Sequence, residues 1–181
     1  MFKYVGDISK LSHMIIKEYN QEFFVGVDGT LGNGYDTDFL SNYFKKVYSF
    51  DVQQSAIDNY KAKEKSNVIL ISDSHENVKK HIHDKIDCAM FNLGFLPGGN
   101  KGITTRTEST LKAISDCIDI LNPGGIISII VYCGHEEGII EKKEVLKYCL
   151  ELPKSSYGIM LHSFMNRRNN PPELIIIEKK S

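Results

Sequence analysis

Short apolar runs alternate with amphipathic stretches along most of this chain, and this alternation limits its fold more than any other sequence feature. The apolar runs have strand length and read FFVGVD, VYSFD, VILIS, IDCAMF and IISIIVY. The stretches between them place apolar residues at helical spacing, as in Leu111, Ile114 and Ile118. Strands that alternate with such helices form a mostly parallel sheet, because each crossover helix packs back on a face of that sheet. We therefore predict an α/β fold with helices on both faces of the sheet.

The C-terminal part of the chain departs from this alternation. Two apolar runs, YGIMLHSF and ELIIIEKK, are joined only by MNRRNNPP, which is too short for a crossover helix. They should therefore pair as an antiparallel hairpin and complete a seven-stranded sheet. Domains typically contain about 100–200 residues, so a chain of 181 residues suits one domain. We predict a single domain over residues 1–181.

Composition and charge argue against several classes of protein. The formal net charge is -1, so the chain has no overall basic field, and a nucleic-acid partner would have to meet a local patch. The four cysteines are scattered without a CxxC pair, which predicts buried thiols in a reducing cytosol rather than zinc or disulfide sites. The chain shows neither a charged-then-apolar leader nor an apolar run of membrane-spanning length. We expect a cytoplasmic protein that binds neither membrane nor metal.

The loops that follow the predicted strands open with polar or small residues. They span residues 28–36, 51–53, 73–76, 92–105 and 133–138. In open parallel sheets, ligands bind in the crevice beyond the carboxyl ends of the strands. The shared character of these loops therefore predicts a ligand-binding crevice at that edge.

The first of these loops lies in the segment VDGTLGNGYDT, residues 27–37. Gly32 and Gly34 let the backbone turn tightly and approach a ligand closely. The segment lacks the Lys-Ser/Thr ending of a phosphate-binding loop and is not a clean GxGxxG. Asp28 would repel a pyrophosphate but pair with an ammonium group, while Asp51 is placed to accept hydrogen bonds from ribose hydroxyls. A ligand with an amino acid at one end and a nucleoside at the other, such as S-adenosylmethionine, satisfies both carboxylates.

These motifs carry a resemblance to class I S-adenosylmethionine-dependent methyltransferases. More narrowly, the chain resembles the small bacterial family labelled "putative rRNA methylases", whose characterised activity is methylation of the tRNA wobble uridine. The resembling stretches are VDGTLGNGYDT, FDVQ, SDSHENV, FNLGFLPGGNKGITT, GGIISIIVYCGHEEG and NNPPELIIIEKK. Thr30 stands where the general class has glycine, and Gly29 and Tyr35 stand where the family more often has Ala and His.

The resemblance implies a fold, a cosubstrate and a partner. The fold would be Rossmann-like, and the methyl donor would be S-adenosylmethionine. The partner would be the tRNA anticodon stem-loop, in which 5-aminomethyl-(2-thio)uridine at position 34 becomes the 5-methylaminomethyl form. Whether the chain works alone or as a homodimer is left open.

Transferred position by position, the resemblance also implies roles for particular residues. The donor would be bound at its methionine part by Asp28, Gly32, Asn33 and Asp36, at its ribose by Asp51 and Gln53, and at its adenine by Ser74 and His75. Asn92 would stand beside the transferred methyl and hold the hydrogens of the acceptor amine. Methyl transfer to a neutral nitrogen requires orientation and desolvation more than proton abstraction. Tyr132 or His135 would assist deprotonation or recognise the base.

The predicted RNA contacts are basic and aromatic. Lys101 and Arg106 flank a glycine-rich loop, and Arg167 and Arg168 lie in the C-terminal hairpin. If that hairpin lies at the crevice edge, these charges could grip phosphates around an everted base. Phe95, together with Tyr132, could stack on that base. The alternative is that these basic residues are ordinary solvated surface.

Structural alternatives exist for the other site residues as well. The glycines could merely end a strand and start a helix, Asp51 could cap a helix, and Asn92 could stabilise bent backbone. At the level of function, the alternatives are a methyltransferase acting on rRNA or a small molecule, an NAD-dependent oxidoreductase on a related fold, and a noncatalytic sensor of an adenosyl ligand.

Overall fold

A seven-stranded, mostly parallel sheet organises the described part of the chain. The computed structural model describes residues 2, 4–94, 104–134 and 136–181. The strands are β1 Val25–Asp28, β2 Lys46–Asp51, β3 Val68–Ser72, β4 Ile86–Leu93, β5 Leu121–Val131, β6 Tyr157–His162 and β7 Glu173–Lys179. Their order in the sheet is β3-β2-β1-β4-β5-β7-β6. The predicted number of strands and the α/β class are confirmed.

The first five strands pair in parallel, and the last two run antiparallel. β7 pairs with both β5 and β6, so the predicted C-terminal hairpin is confirmed. Val131, at the carboxyl end of β5, lies opposite Glu173, the first residue of β7. This register places the β6–β7 connection at the same edge of the sheet as the carboxyl ends of the parallel strands.

Helices cover both faces of the sheet, as predicted. They are α1 Ile8–Tyr19, α2 Tyr35–Tyr43, α3 Gln54–Lys61, α4 Val78–His81, α5 Thr107–Ile120 and α6 Glu136–Glu151, with a 3-10 turn at His75–Asn77. Alternate residues of β5 separate two apolar cores, because successive side chains of a strand point to opposite faces. Ile127 and Ile129 pack with residues of α4, α5 and α6, whereas Ile126 and Ile130 pack with residues of α1 and α2.

Helical spacing of apolar residues continues past the end of α2. Phe44 and Val47 keep this spacing, but Phe44 is the C-cap of α2 and Val47 lies in β2, the predicted strand VYSFD. Both side chains are buried in the same core as Leu40, so the spacing reports burial rather than the end of the helix. The segment NPGG, residues 122–125, precedes the predicted strand IISIIVY but lies within β5, where the pairing with β4 shifts register.

The cysteines and the helices bear on the compositional predictions. All four cysteines are buried and unpaired, as their apolar surroundings indicated. None of the helices in the described residues combines the length and apolar character needed to traverse a bilayer. No three His, Cys, Asp or Glu side chains cluster as metal ligands within those same residues.

Candidate active site

A cavity of about 910 Å³ opens at the carboxyl edge of the parallel strands. Its walls include the loops after β1, β2, β3 and β4, together with parts of α1 and α2. The predicted site residues that line it are Gly32, Asn33, Asp36, Asp51, Gln53, Ser74, His75, Asn92 and Tyr132. The structure thus brings together residues that lie up to one hundred positions apart in the sequence.

The glycine loop is held in one shape by hydrogen bonds to neighbouring strands. The backbone N–H of Leu31 donates to the carbonyl of Phe50 at 2.8 Å, and that of Gly32 donates to Asp51 Oδ2 at 2.9 Å. Gly34 has a φ of 79°, and a Cβ there would come within 2.2 Å of the Tyr60 ring. Only glycine fits this position, because both the backbone angle and the contact exclude a side chain.

Asp28 ends β1, but its side chain does not line the cavity. The residue is 0% exposed, and its carboxylate accepts hydrogen bonds from the Thr30 N–H at 2.9 Å and the Thr37 hydroxyl at 2.6 Å. Burial first, and then repulsion from Asp36, raise the pKa of Asp28 to about 7. The predicted ion pair between Asp28 and a ligand ammonium is therefore corrected. Asp28 supports the loop from within the protein, whereas Asp36 lines the cavity.

Asp51 connects the glycine loop to the loop after β2. Its Oδ1 accepts a hydrogen bond from the Gln53 N–H at 2.8 Å, in addition to the bond from Gly32. The N-cap of α3 is Gln53 rather than Asp51. A carboxylate has about four acceptor positions, so Asp51 retains acceptor capacity for a ligand diol in the cavity.

His75 presents an unpaired acceptor to the cavity. Its Nδ1 lies 3.0 Å from the carbonyl oxygen of Gly29, and because a carbonyl can only accept, Nδ1 carries the proton. Burial lowers the pKa of His75 below its usual range, which keeps the ring neutral. Its Nε2 is buried and finds no partner among the residues that the structure describes. This nitrogen can accept a hydrogen bond from an N–H group of a ligand.

Asp36, in the first turn of α2, joins α1 to the end of β4. Its Oδ1 lies 2.6 Å from His13 Nε2, and its Oδ2 accepts a hydrogen bond from Asn92 Nδ2. An ionised carboxylate offers only acceptors, so the amide nitrogen of Asn92 must face Asp36 and its Oδ1 must face away. Asn92 Oδ1 is buried and unpaired within the described part of the chain. The cavity therefore contains an oriented hydrogen-bond acceptor at the position where the amine that receives the methyl group was predicted to bind.

The backbone of Asn92 is fixed as well. Its N–H donates to Thr30 Oγ1 at 2.7 Å. The hydroxyl of Thr30 thereby links the loops after β1 and β4 directly.

Tyr132 follows β5 and, like Ser9 of α1, lines the cavity. Burial raises the pKa of Tyr132 above its usual range. The phenol therefore stays protonated near neutral pH, which favours a role in binding over a role as general base.

Of the predicted RNA-contacting residues that the structure describes, Tyr132 lines the cavity and the three arginines do not. Phe95, Lys101 and His135 lie outside the described residues. Arg106, Arg167 and Arg168 do not line the cavity. Arg106 is the N-cap of α5, whereas Arg167 stacks on the Phe164 ring with its guanidinium carbon 3.6 Å from the centroid and also donates to the Val5 carbonyl. Whether these arginines contact RNA stays a prediction.

Several lining residues of α1 and α2 were not singled out by the sequence. Lys10, His13 and Phe39 line the cavity, yet helical spacing shows only that their helices are amphipathic. The sequence carries no signal for the packing of α1 beside β5, which depends on buried contacts such as the 2.6 Å hydrogen bond between Ser12 and Ser128.

Fold and cavity together define the class of protein. The strand order, the glycine loop after β1 and the acidic residue ending β2 beside one cavity match the fold of class I methyltransferases. The chain belongs to the family described as "Putative rRNA methylase", whose profile matches residues 47–178.

Similar proteins cover nearly the whole chain. A curated protein of Arabidopsis thaliana, named tRNA (mnm(5)s(2)U34)-methyltransferase, chloroplastic, is 29% identical over 191 residues, which cover 96% of this chain and 70% of that protein. The crystal structure of a putative rRNA-methylase from Clostridium thermocellum matches with a TM-score of 0.91 and 37% identity, over 97% of this chain and 98% of that one. A putative methyltransferase from Streptococcus mutans, solved in complex with S-adenosyl-L-homocysteine (SAH), matches with a TM-score of 0.89 and 38% identity, over 99% of both chains.

Proposed function

We propose that this protein methylates the amine of 5-aminomethyl-(2-thio)uridine at wobble position 34 of tRNA, giving the 5-methylaminomethyl form. The unpaired Oδ1 of Asn92 carries this proposal, because it is an acceptor suited to the N–H groups of an amine. The name of the relative from Arabidopsis thaliana supports the choice of substrate. Its family and its similarity to a structure solved with SAH make it a methyltransferase that uses S-adenosylmethionine.

The residues of the cavity fit this methyl donor. Asp36 offers a carboxylate to the ammonium of the methionine part, and Asp51 offers acceptors to the ribose hydroxyls. His75 Nε2 offers an acceptor to the exocyclic amine of adenine. S-adenosylmethionine supplies a methyl group made electrophilic by its sulfonium.

The acceptor amine needs orientation more than deprotonation by a strong base. Asn92 Oδ1 accepts one amine hydrogen and thereby aims the nitrogen lone pair, while the buried setting excludes competing water. As the new carbon–nitrogen bond forms, the carbon–sulfur bond breaks. The amine must be neutral before this step, and Tyr132 does not take its proton near neutral pH because its own pKa is raised.

The test is a methylation assay with defined RNA. Purified protein is incubated with S-adenosylmethionine and tRNA that carries 5-aminomethyl-(2-thio)uridine, and digested nucleosides are measured by mass spectrometry. We expect the 5-methylaminomethyl nucleoside, and no methylation of tRNA with unmodified uridine at position 34. An unchanged nucleoside profile would overturn the proposal.

Parallel incubations separate the alternative functions. Ribosomal RNA tests the activity that the family description suggests, and methylation of rRNA but not of tRNA would assign the other substrate. Binding of S-adenosylmethionine without turnover on either RNA would favour the alternative of a noncatalytic sensor of an adenosyl ligand.

A further inference from the structure

The cavity extends beyond the residues assigned to the methyl donor. Its volume of about 910 Å³ is near the upper end of small-molecule pockets, which hold about 300–1,000 Å³. Part of the lining comes from α1, α2 and the residue after β5: Lys10, His13, Tyr35, Phe39, Tyr43 and Tyr132. We call these six residues the aromatic wall. None of these six residues is among those assigned to the methyl donor.

We propose that the aromatic wall is the site at which the acceptor nucleobase stacks, with its aminomethyl arm directed at Asn92. This inference rests on the proposed function and adds the location of the base. RNA bases that are removed from a helix are commonly bound by stacking on aromatic side chains.

The wall offers stacked rings rather than isolated ones. The rings of His13 and Phe39 lie parallel, with centroids 4.1 Å apart and an interplanar angle of 3°. The ring of Tyr43 is 5.1 Å from Phe39 on a tilted plane. A base that adds to this arrangement meets rings whose orientation is already set, so less conformational freedom is lost on binding.

The stacked pair and the acceptor amide belong to one hydrogen-bonded unit. His13 binds Asp36 through Nε2 at 2.6 Å, and Asp36 in turn holds the amide of Asn92. The unit thus connects a surface for the base to an acceptor for the amine on its substituent.

The mouth of the cavity has features suited to RNA. Tyr35 lines the cavity yet is 74% exposed, so its ring is accessible to a base. Lys10 also lines the cavity and is exposed, and within the described residues it forms no ion pair. A free lysine at this position can pair with a phosphate of the flipped nucleotide.

The test compares variants of the wall with a matched control on α1. Tyr35→Ala removes the exposed ring, and Phe39→Leu removes the stacking plane while keeping apolar volume. Tyr19→Ala is the control, because Tyr19 is also an exposed tyrosine, at 64%, but does not line the cavity. For wild type and each variant we would measure KM and kcat for an anticodon stem-loop RNA with 5-aminomethyl-(2-thio)uridine, and the Kd of S-adenosylmethionine by calorimetry.

We expect each wall variant to raise KM for the RNA by about tenfold, the size of effect that loss of one base–aromatic stack produces. The Kd of S-adenosylmethionine should stay within about twofold of the wild-type value, and Tyr19→Ala should match wild type. Melting temperatures identify a variant that is misfolded, and Tyr35→Ala carries the test if Phe39→Leu is unstable.

The outcomes separate this inference from the proposed function. If wild type methylates the RNA and the wall variants behave like Tyr19→Ala, the base does not stack on the wall, although the function stands. If the variants weaken S-adenosylmethionine binding instead, the wall belongs to the donor. If wild type fails to methylate the RNA, the proposed function is overturned and this inference with it.

Discussion

Asp36 illustrates how one residue can serve two parts of a site. It lines the cavity, orients Asn92 and holds His13, although it is only 4% exposed. Its charge also disfavours ionisation of Asp28 behind the loop. The two carboxylates therefore divide the roles: Asp36 is available to a cationic ligand, and Asp28 supports the backbone.

Removal of the Asn92 amide should reduce turnover more than donor binding. In Asn92→Ala the acceptor for the amine is lost, and we expect kcat to fall about 100-fold, in the range seen when one transition-state contact is removed. The Kd of S-adenosylmethionine, measured by calorimetry, should change little. Asn59→Ala, at an exposed position of α3, is the control. An unchanged kcat would exclude Asn92 from the reaction.

Asp28 should make the protein less stable as pH rises. The unfolded carboxyl ionises near 3.8, whereas the folded one holds its proton up to about 7. Between these values the folded state binds more protons, so the free energy of unfolding falls as pH increases. A difference of one unit between the pKa values of the folded and unfolded states corresponds to about 1.4 kcal/mol in the free energy of unfolding, so the effect is measurable.

The variant Asp28→Asn tests this pH dependence. Its amide can still accept from the Thr30 N–H and can donate to the Thr37 hydroxyl. We expect urea unfolding between pH 5 and pH 8 to show a smaller loss of stability in the variant than in wild type. Equal pH dependence in the two proteins would assign the effect to other groups.

At the scale of elements, α6 holds the segment that follows β4. Glu141 of α6 is buried, and its two oxygens accept from the hydroxyls of Thr105 at 2.8 Å and Thr110 at 2.6 Å. Thr105 Oγ1 also accepts from the Gly94 N–H at 2.9 Å. A single carboxylate therefore ties α6 to α5 and to a loop that lines the cavity.

Glu141→Gln should disturb this connection. The amide nitrogen of glutamine is a donor, so one of the two threonine hydroxyls loses its acceptor or must reverse its hydrogen bond. We expect the free energy of unfolding, measured in urea, to fall by about 1–3 kcal/mol. Glu151→Gln, at the exposed end of the same helix, should leave it nearly unchanged. Equal stability of the two variants would contradict the role of Glu141.

At the scale of the whole molecule, the cavity draws its walls from both halves of the parallel sheet and from α1 and α2. A ligand that binds only the folded state stabilises it by mass action, by about 2.7 kcal/mol at one hundred times its Kd. For a domain of this size each kcal/mol raises Tm by about 2–4 °C.

We therefore expect a concentration of S-adenosylmethionine at one hundred times its Kd to raise Tm by about 5–10 °C in a thermal melt. NADH should produce no such rise, because the carboxylates of the cavity oppose its pyrophosphate. A comparable rise with NADH would contradict the assigned donor.

Local sequence patterns were sufficient for the fold and for placing the loops after β1, β2, β3 and β4 at the cavity. The spacing of apolar residues along a helix or strand shows which face of that element is buried. The apolar runs of β1–β5 could be recognised in the sequence in this way. Because parallel strands end at one edge, Asp51, His75 and Asn92 could be placed together before the structure was known. Gly34 could also be identified from the sequence, because the turn after β1 excludes a side chain at this position.

The tertiary structure alone decided how the side chains are partnered. The sequence did not reveal that Asp28 is buried behind the loop, that His13 reaches Asp36, or that Arg167 packs on Phe164 instead of lining the cavity. Such contacts depend on the angle and distance at which α1, α2 and the terminal hairpin pack on the sheet. Those quantities are set by the fit of whole surfaces, which no short stretch of sequence encodes.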